Sequence, residues 1–299
     1  MPTDTPPAQE PSLAQRYTAV RKRVARAAER SGRRASDVLL VAVTKFADPA
    51  DIRELISLGH RDFGENRVQN MLQRVAMAEE FLARSRTLSS VGGLAAPNLP
   101  GPDAVRWHMI GTLQRNKVKK VVEIARLIHS VDNLRLAEEI HAIAVRREKP
   151  ADVLLQVNCS GESQKGGVAP AAAMALAEQI ESMVNVRLRG LMTMAAYSEN
   201  PEDSRPTFRR LRELFEEMQK QGYAEGRFNI LSMGMSNDFE VAIEEGSNLV
   251  RVGTAIFGER DLPDEPDDEP ASALSEDEES HPFGEISVPR RSEPAPRVD

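Results

Sequence analysis

Short apolar, β-branched runs alternate with helical stretches along almost the whole chain, and this alternation leaves few folds open. The first run, VLLVAVT at 38–44, is continuous and apolar, as suits a parallel strand buried on both faces. Asp48-Pro49 and the helical stretch ADIRELISLG follow, closed by Gly59. The couplet then returns. DFG precedes a helix after EN, VRWHMIG one from Gln114, and ARLIHSV one from Asn133. ADVLLQVN leads to helix 170–183, VRLRGLMTM to helix 203–221, and RFNILSM to helix 237–245. NLVRVGTAIFG ends the series, and a helix ending at Gly32 opens it. Strands that alternate with helices pair in parallel through right-handed crossovers. A count of about eight predicts an α/β fold of the closed (β/α)8 TIM-barrel type. An open doubly wound sheet is the alternative, and no G-x-G-x-x-G after the first strand supports it.

Three segments fall outside the pattern. Residues 1–11 are polar and Pro-rich, and 84–104 is a Gly/Pro/Ser-rich stretch that reads as a long loop. Residues 261–299 carry seven prolines, thirteen acids and three arginines, a composition that cannot order itself. One domain over 12–260 remains. The net charge of −7 therefore belongs to the tail, and the domain is close to neutral. No concentrated basic face marks a nucleic-acid partner; RNKVKK at 115–120 reads as a solvated helix face or an anion contact. No apolar run approaches the roughly 20 residues that span a bilayer, and MPTDTPPAQEP lacks the apolar centre of a secretory signal. The single Cys159 cannot form an internal disulfide, so a cytoplasmic location is expected. It reads as a buried inert thiol rather than a reactive one. The five histidines, at 60, 108, 129, 141 and 281, lack metal-ligand spacing.

In a barrel, chemistry gathers where strands end. Lys45 stands at the end of the first strand, where a buried run gives way to a turn. A lysine there can condense with an aldehyde as a Schiff-base nucleophile; a salt bridge to Glu65 or Asp62 is the plainer reading. At the end of strand seven, SMGMSND (232–238) offers backbone N–H groups and the Ser236 hydroxyl, and Gly253-Thr254 adds another close backbone approach and hydroxyl. Such loops suit a phosphate, with ordinary helix capping as the alternative. An aldehyde cofactor anchored by phosphate points to pyridoxal 5′-phosphate.

The motifs VAVTK, FGENRVQN, WHMIGTLQRNK, HSVDN, LLQVNCSGESQKGG, LRGLMTM and SMGMSNDFEVAIEEGSNLVRVGTAIFG, in this order, resemble those of the pyridoxal phosphate homeostasis proteins. These are single-domain relatives of the alanine racemase barrel, and the resemblance covers most of residues 13–258. It implies an alanine racemase N-terminal-domain-like barrel holding pyridoxal phosphate reversibly as a Schiff base on Lys45, with a role in vitamin B6 homeostasis. It places Ser236, Gly253 and Thr254 at the phosphate, Arg251 at the pyridine nitrogen, Asn66 near the phenolic oxygen and Met233 by the ring. His108 is either a neighbour of these contacts or a structural histidine. The chain departs from its relatives in Phe46 after the lysine, Arg67 after GEN, and a longer 84–104 loop.

Two further readings bear on catalysis. Arginine keeps its proton, so an arginine partner leaves the ring nitrogen neutral and the electron sink weak; this does not forbid racemisation, since the alanine racemases resembled here also place an arginine there. Racemisation also needs an acid/base on each face of the ring. In the racemases the second is a tyrosine from an added β-domain. After the barrel this chain has no Tyr, Lys or Cys, and of Tyr17, Tyr197 and Tyr223 only Tyr197 follows a strand end. The expectation is a carrier without catalysis, monomeric or weakly dimeric, delivering cofactor to apoenzymes that need it. An amino-acid racemase-like enzyme is the alternative, and a lyase acting on a phosphorylated sugar a weaker third.

Overall fold

The computed structural model describes residues 10–92, 105–162 and 165–259. Residues 261–299, and all but Glu10 and Pro11 of the first expected unstructured segment, lie outside them. Eight strands alternate with helices. They are β1 (Leu39–Val43), β2 (Asp62–Glu65), β3 (Arg106–Met109), β4 (Ala125–Val131), β5 (Ala151–Gln156), β6 (Val186–Met192), β7 (Ile230–Ser232) and β8 (Leu249–Val252). They close in sequence order into one parallel barrel, β1 meeting β8 from Leu39↔Leu249 to Ala42↔Val252. The closed form expected from the alternation is found, and the open sheet is not.

The core has two compartments because a parallel barrel strand shows one face to the axis and the other to the helices. A large apolar cluster fills the layer between strands and helices, with Phe63, Phe208 and Phe239 fully buried in it. A small one, Val41, Leu127, Leu154, Met192 and Leu249, lies inside the barrel. Alternation puts His129 on the same face as Leu127, and Arg251 on that of Leu249, so the axis carries polar groups above its apolar floor.

The helix α1 (Leu13–Arg30) precedes β1, yet it packs on α8 (Phe239–Glu244) and on the single turn α9 (Thr254–Phe257). It starts at a capping box, Ser12 and Gln15 each satisfying the other's backbone N–H. Arg16 then donates to the carbonyls of Ile256 (2.8 Å) and Phe257 (3.2 Å), and Arg23 pairs with Glu240 at 2.7 Å.

One expectation needs correction. The helix α3 runs Val68–Gly92, so 84–92 is helical where a loop was expected. Ser85 and Thr87 return their hydroxyl protons to the carbonyls of Phe81 (2.8 Å) and Ala83 (3.2 Å), an option that lets Ser and Thr sit in a helix. The remainder of that expected loop, 93–104, lies outside the described residues.

His60 shows how burial couples the fold to pH. Its Nε2 meets the Asp62 carbonyl at 2.7 Å, which can only accept, so Nε2 carries the proton and Nδ1 accepts from Tyr17 Oη at 3.1 Å. Both nitrogens are satisfied in the neutral ring, and burial pushes its pKa down to about 4. The unfolded chain binds this proton below about 6.5 and the folded one does not. Stability is therefore full above pH 6.5 and falls as pH drops towards 4, by about 3 kcal/mol from this residue. Urea unfolding at pH 7 and pH 4.5 should show the wild type losing about 2.5 kcal/mol more than His60→Gln. Equal losses would contradict this account.

Candidate functional site at the C-terminal mouth of the barrel

Register brings the expected residues to one rim. Val43 pairs with Gly64, so two residues further on Lys45 stands beside Asn66. Ala42 pairs with Val252, which sets Gly253 against Val43; a Cβ added there would lie 3.3 Å from the Val43 carbonyl oxygen. Lys45 is half-buried, with its ammonium 4.5 Å from the centre of the Phe46 ring.

The turn that carries Lys45 is held from below. Glu65, fully buried, takes the Arg74 guanidinium and accepts from Thr44 Oγ1 (2.9 Å) and from the N–H groups of Asn66 (2.8 Å) and Arg67 (3.3 Å). Arg74 reaches on to the carbonyls of Lys45 (3.5 Å) and Ala47 (3.3 Å). The second carboxylate considered for Lys45, Asp62, opens β2 at the far end of the strand, about 10 Å from Glu65. It takes Arg106 and His108 instead.

Asn66 is pinned by its neighbour. Gly111 packs so closely that a Cβ would lie 2.2 Å from the Asn66 carbonyl oxygen. The side-chain Oδ1 of Asn66 is buried with no hydrogen-bond partner. Such an orphan is costly unless a donor meets it, and a phenolic hydroxyl would supply one.

On the same rim, Ser236 Oγ gathers the N–H groups of Gly253 (3.1 Å) and Ala255 (3.3 Å). These donors and the hydroxyl form one polar cluster, with exposed Thr254 between them. Gly234 makes the turn possible: its φ is +95°, and a Cβ would meet Ala242 Cβ at 2.6 Å. Met233 is fully buried and belongs to the core between barrel and helices.

Arg251 rises from β8 into the barrel axis. Its Nη1 donates to Ser232 Oγ at 2.6 Å and its Nη2 to the Thr193 carbonyl at 2.9 Å. Burial lowers its pKa to about 10, so it stays a cation at neutral pH. Sequence reasoning missed its support, Ser232 and Thr193, together with His129 and Arg74. The period-2 spacing of L-x-H in β4 and I-x-S in β7 was the available signal for two of them.

Other expectations are placed as follows. Tyr197 is 82% exposed. Tyr17 and Tyr223 are buried towards the barrel's other end, Tyr17 against His60. Burial pushes the Cys159 thiol up to about 11, which makes it a poor nucleophile. Among the described residues no group of three or more His, Cys, Asp or Glu could hold a metal ion, and no helix is long and apolar enough to cross a membrane.

This closed barrel, with a lysine and a polar cluster on one rim, defines a barrel of the alanine racemase N-terminal-domain class, whose family model matches residues 16–261. Within that class the chain belongs to the family of pyridoxal phosphate homeostasis proteins. It is 42% identical over 250 residues to the pyridoxal phosphate homeostasis protein of Aquifex aeolicus, covering 82% of this chain and 97% of that one. With the Escherichia coli protein of the same description it shares 34% over 249 residues, covering 83% and 97%. Among solved structures, PipY of Synechococcus elongatus with pyridoxal phosphate bound is 32% identical and covers 83% of this chain and all of that one, with a TM-score of 0.64. Alanine racemase of Clostridium difficile shares the fold at 13% identity and a TM-score of 0.57, with 84% of this chain matching 57% of the enzyme.

Proposed function

We propose that the chain binds pyridoxal 5′-phosphate reversibly at this mouth and serves its homeostasis in the cytoplasm without catalysing a reaction on it. Bound there, the cofactor supplies an aldehyde. The Lys45 amine would hold it by condensing with that aldehyde, one water leaving, and the return of one water would free it. Ser236, Gly253 and Thr254 hold the phosphate, Asn66 meets the phenolic oxygen, and Met233 backs the site from the core. Arg251 faces the ring nitrogen and donates to it.

The observation that carries this reading is the buried Arg251 guanidinium, fixed by Ser232 and Thr193 beneath the rim. A fixed cation offers a hydrogen-bond donor but no proton to the ring, so the electron sink is weak. The exposed Tyr197 supports the same reading, because a second base must be held over the ring. Cofactor-requiring apoenzymes are the natural acceptors for a holder of this kind.

Two measurements on the loaded protein test it. Borohydride reduction and mass mapping should place one pyridoxyl group on Lys45. Incubation with single enantiomers of amino acids in D2O should leave the α-hydrogen unexchanged. Exchange at the rate of a working racemase would replace the carrier reading with the enzymatic one.

A further inference from the structure

A line of buried polar side chains leads away from Arg251 along the barrel axis. Ser232 Oγ lies 3.1 Å from His129 Nδ1, His129 Nε2 lies 3.0 Å from His108 Nδ1, and His108 Nε2 lies 3.2 Å from Asp62 Oδ1. Asp62 in turn binds Arg106 Nε at 2.7 Å and Nη2 at 2.5 Å. Ser232 and His129 are fully enclosed, and His108 and Asp62 nearly so. The line therefore joins the cofactor rim to the opposite face, where the Arg106 side chain is 44% exposed.

The direction of each bond follows from counting protons. Asp62 is ionised, held by Arg106, and can only accept, so His108 Nε2 carries a proton. With His108 neutral, its Nδ1 is bare and takes the proton of His129 Nε2. His129 Nδ1 is then bare and takes the Ser232 hydroxyl proton, and Ser232 Oγ is left to accept from Arg251. Every donor meets an acceptor. A second proton on His108 would reverse the middle of the line and leave the Ser232 hydroxyl proton without an acceptor, because Arg251 and His129, the partners of Oγ among the described residues, would both be donors. Burial and the neighbouring Arg251 cation push the His129 pKa well below its ordinary value, which agrees with its neutral form.

We propose that Asp62, His108, His129 and Ser232 are positioning residues for Arg251. They form a one-way hydrogen-bond chain whose polarity is set by the Asp62–Arg106 pair at the far face of the barrel, and this chain fixes the guanidinium as a donor aimed at the cofactor ring. The second half of this rests on the function proposed above; the chain itself does not.

Nitrogen-resolved NMR of the histidine rings in the cofactor-free protein tests the chain directly. At pH 7, His108 and His129 should both be neutral, each with its proton on Nε2. A proton on Nδ1 of either ring would overturn the proposal, and this result needs no variant to fold. Asp62→Asn should mix the tautomers, shift the visible band of the loaded protein and speed cofactor release about three- to tenfold, while Asp62→Glu should restore the wild-type band. As a control, Asp152→Asn breaks another buried pair, with Arg126 and Arg189. It should lower thermal stability and leave tautomers and band unchanged. An unaltered band and release rate in folded Asp62→Asn would overturn the coupling to Arg251. A wild-type protein that takes up no cofactor would overturn the proposed function, and the tautomers would still decide the chain.

Discussion

Lys45→Ala is expected to stay folded and to lose the visible absorption of the loaded protein entirely. The side chain is half-buried on a turn, and its contact with the Phe46 ring contributes about 1 kcal/mol or less. Removing it should therefore move the melting temperature by only a few degrees. Cofactor affinity should fall by about a hundredfold, equivalent to about 3 kcal/mol, because the covalent link is gone while the phosphate cluster at Ser236, Gly253 and Thr254 remains. Residual binding should show the spectrum of the free aldehyde, and borohydride should leave no pyridoxyl group on the protein. Absorbance and equilibrium dialysis on the purified variant read both effects. A retained visible band would assign the aldehyde to another lysine and remove Lys45 from the site.

The largest stability effect is expected at Glu65, directly beneath that lysine. Glu65 is fully enclosed and its partner Arg74 nearly so, with 14% of the side chain exposed. Glu65→Ala leaves a buried guanidinium without its counter-charge, a change that costs about 3–5 kcal/mol. For a domain of this size the melting temperature should drop by about 10 °C. The Lys45 turn should loosen as well, since Arg74 donates to the carbonyls of Lys45 and Ala47 only while the pair holds it in place. Glu65→Leu combined with Arg74→Met replaces the pair by apolar groups of similar volume, and should recover most of the stability but not the affinity for cofactor. Thermal melts and cofactor titration of the single and double variants distinguish these outcomes. A Glu65→Ala protein that melts with the wild type would show that the pair stabilises nothing.

The barrel and its rim were legible in the sequence because both are written locally. An apolar run, a turn and a helix repeat in order, and each strand end is marked by the residues that follow it. Lys45, Asn66, Ser236 and Gly253 stand out for that reason. The partners that support them do not, because each contact joins strands far apart in the chain. Thr44 and Glu65 are 21 residues apart, and His129 and Ser232 are 103 apart. A histidine within ARLIHSV reads as one more core residue until the fold sets Ser232 and His108 on either side of it. The extension of α3 was hidden for a different reason. Ser and Thr are read as loop formers, and only the carbonyl one turn earlier shows that their hydroxyls are satisfied inside a helix.

The position of α1 has a bearing on how the chain is made. The helix that comes first in synthesis finds its partners, α8 and α9, among the last residues of the barrel, and β1 completes its pairing only on β8. On a growing chain β1 therefore waits as an open edge, paired on one side by β2, until residues 249–257 have emerged. Open edges recruit other strands, and contacts this distant in sequence form slowly. Protection of the nascent barrel thus depends on what shields its first strand during translation. A nascent chain stalled before residue 249 should be the species most readily captured by chaperones.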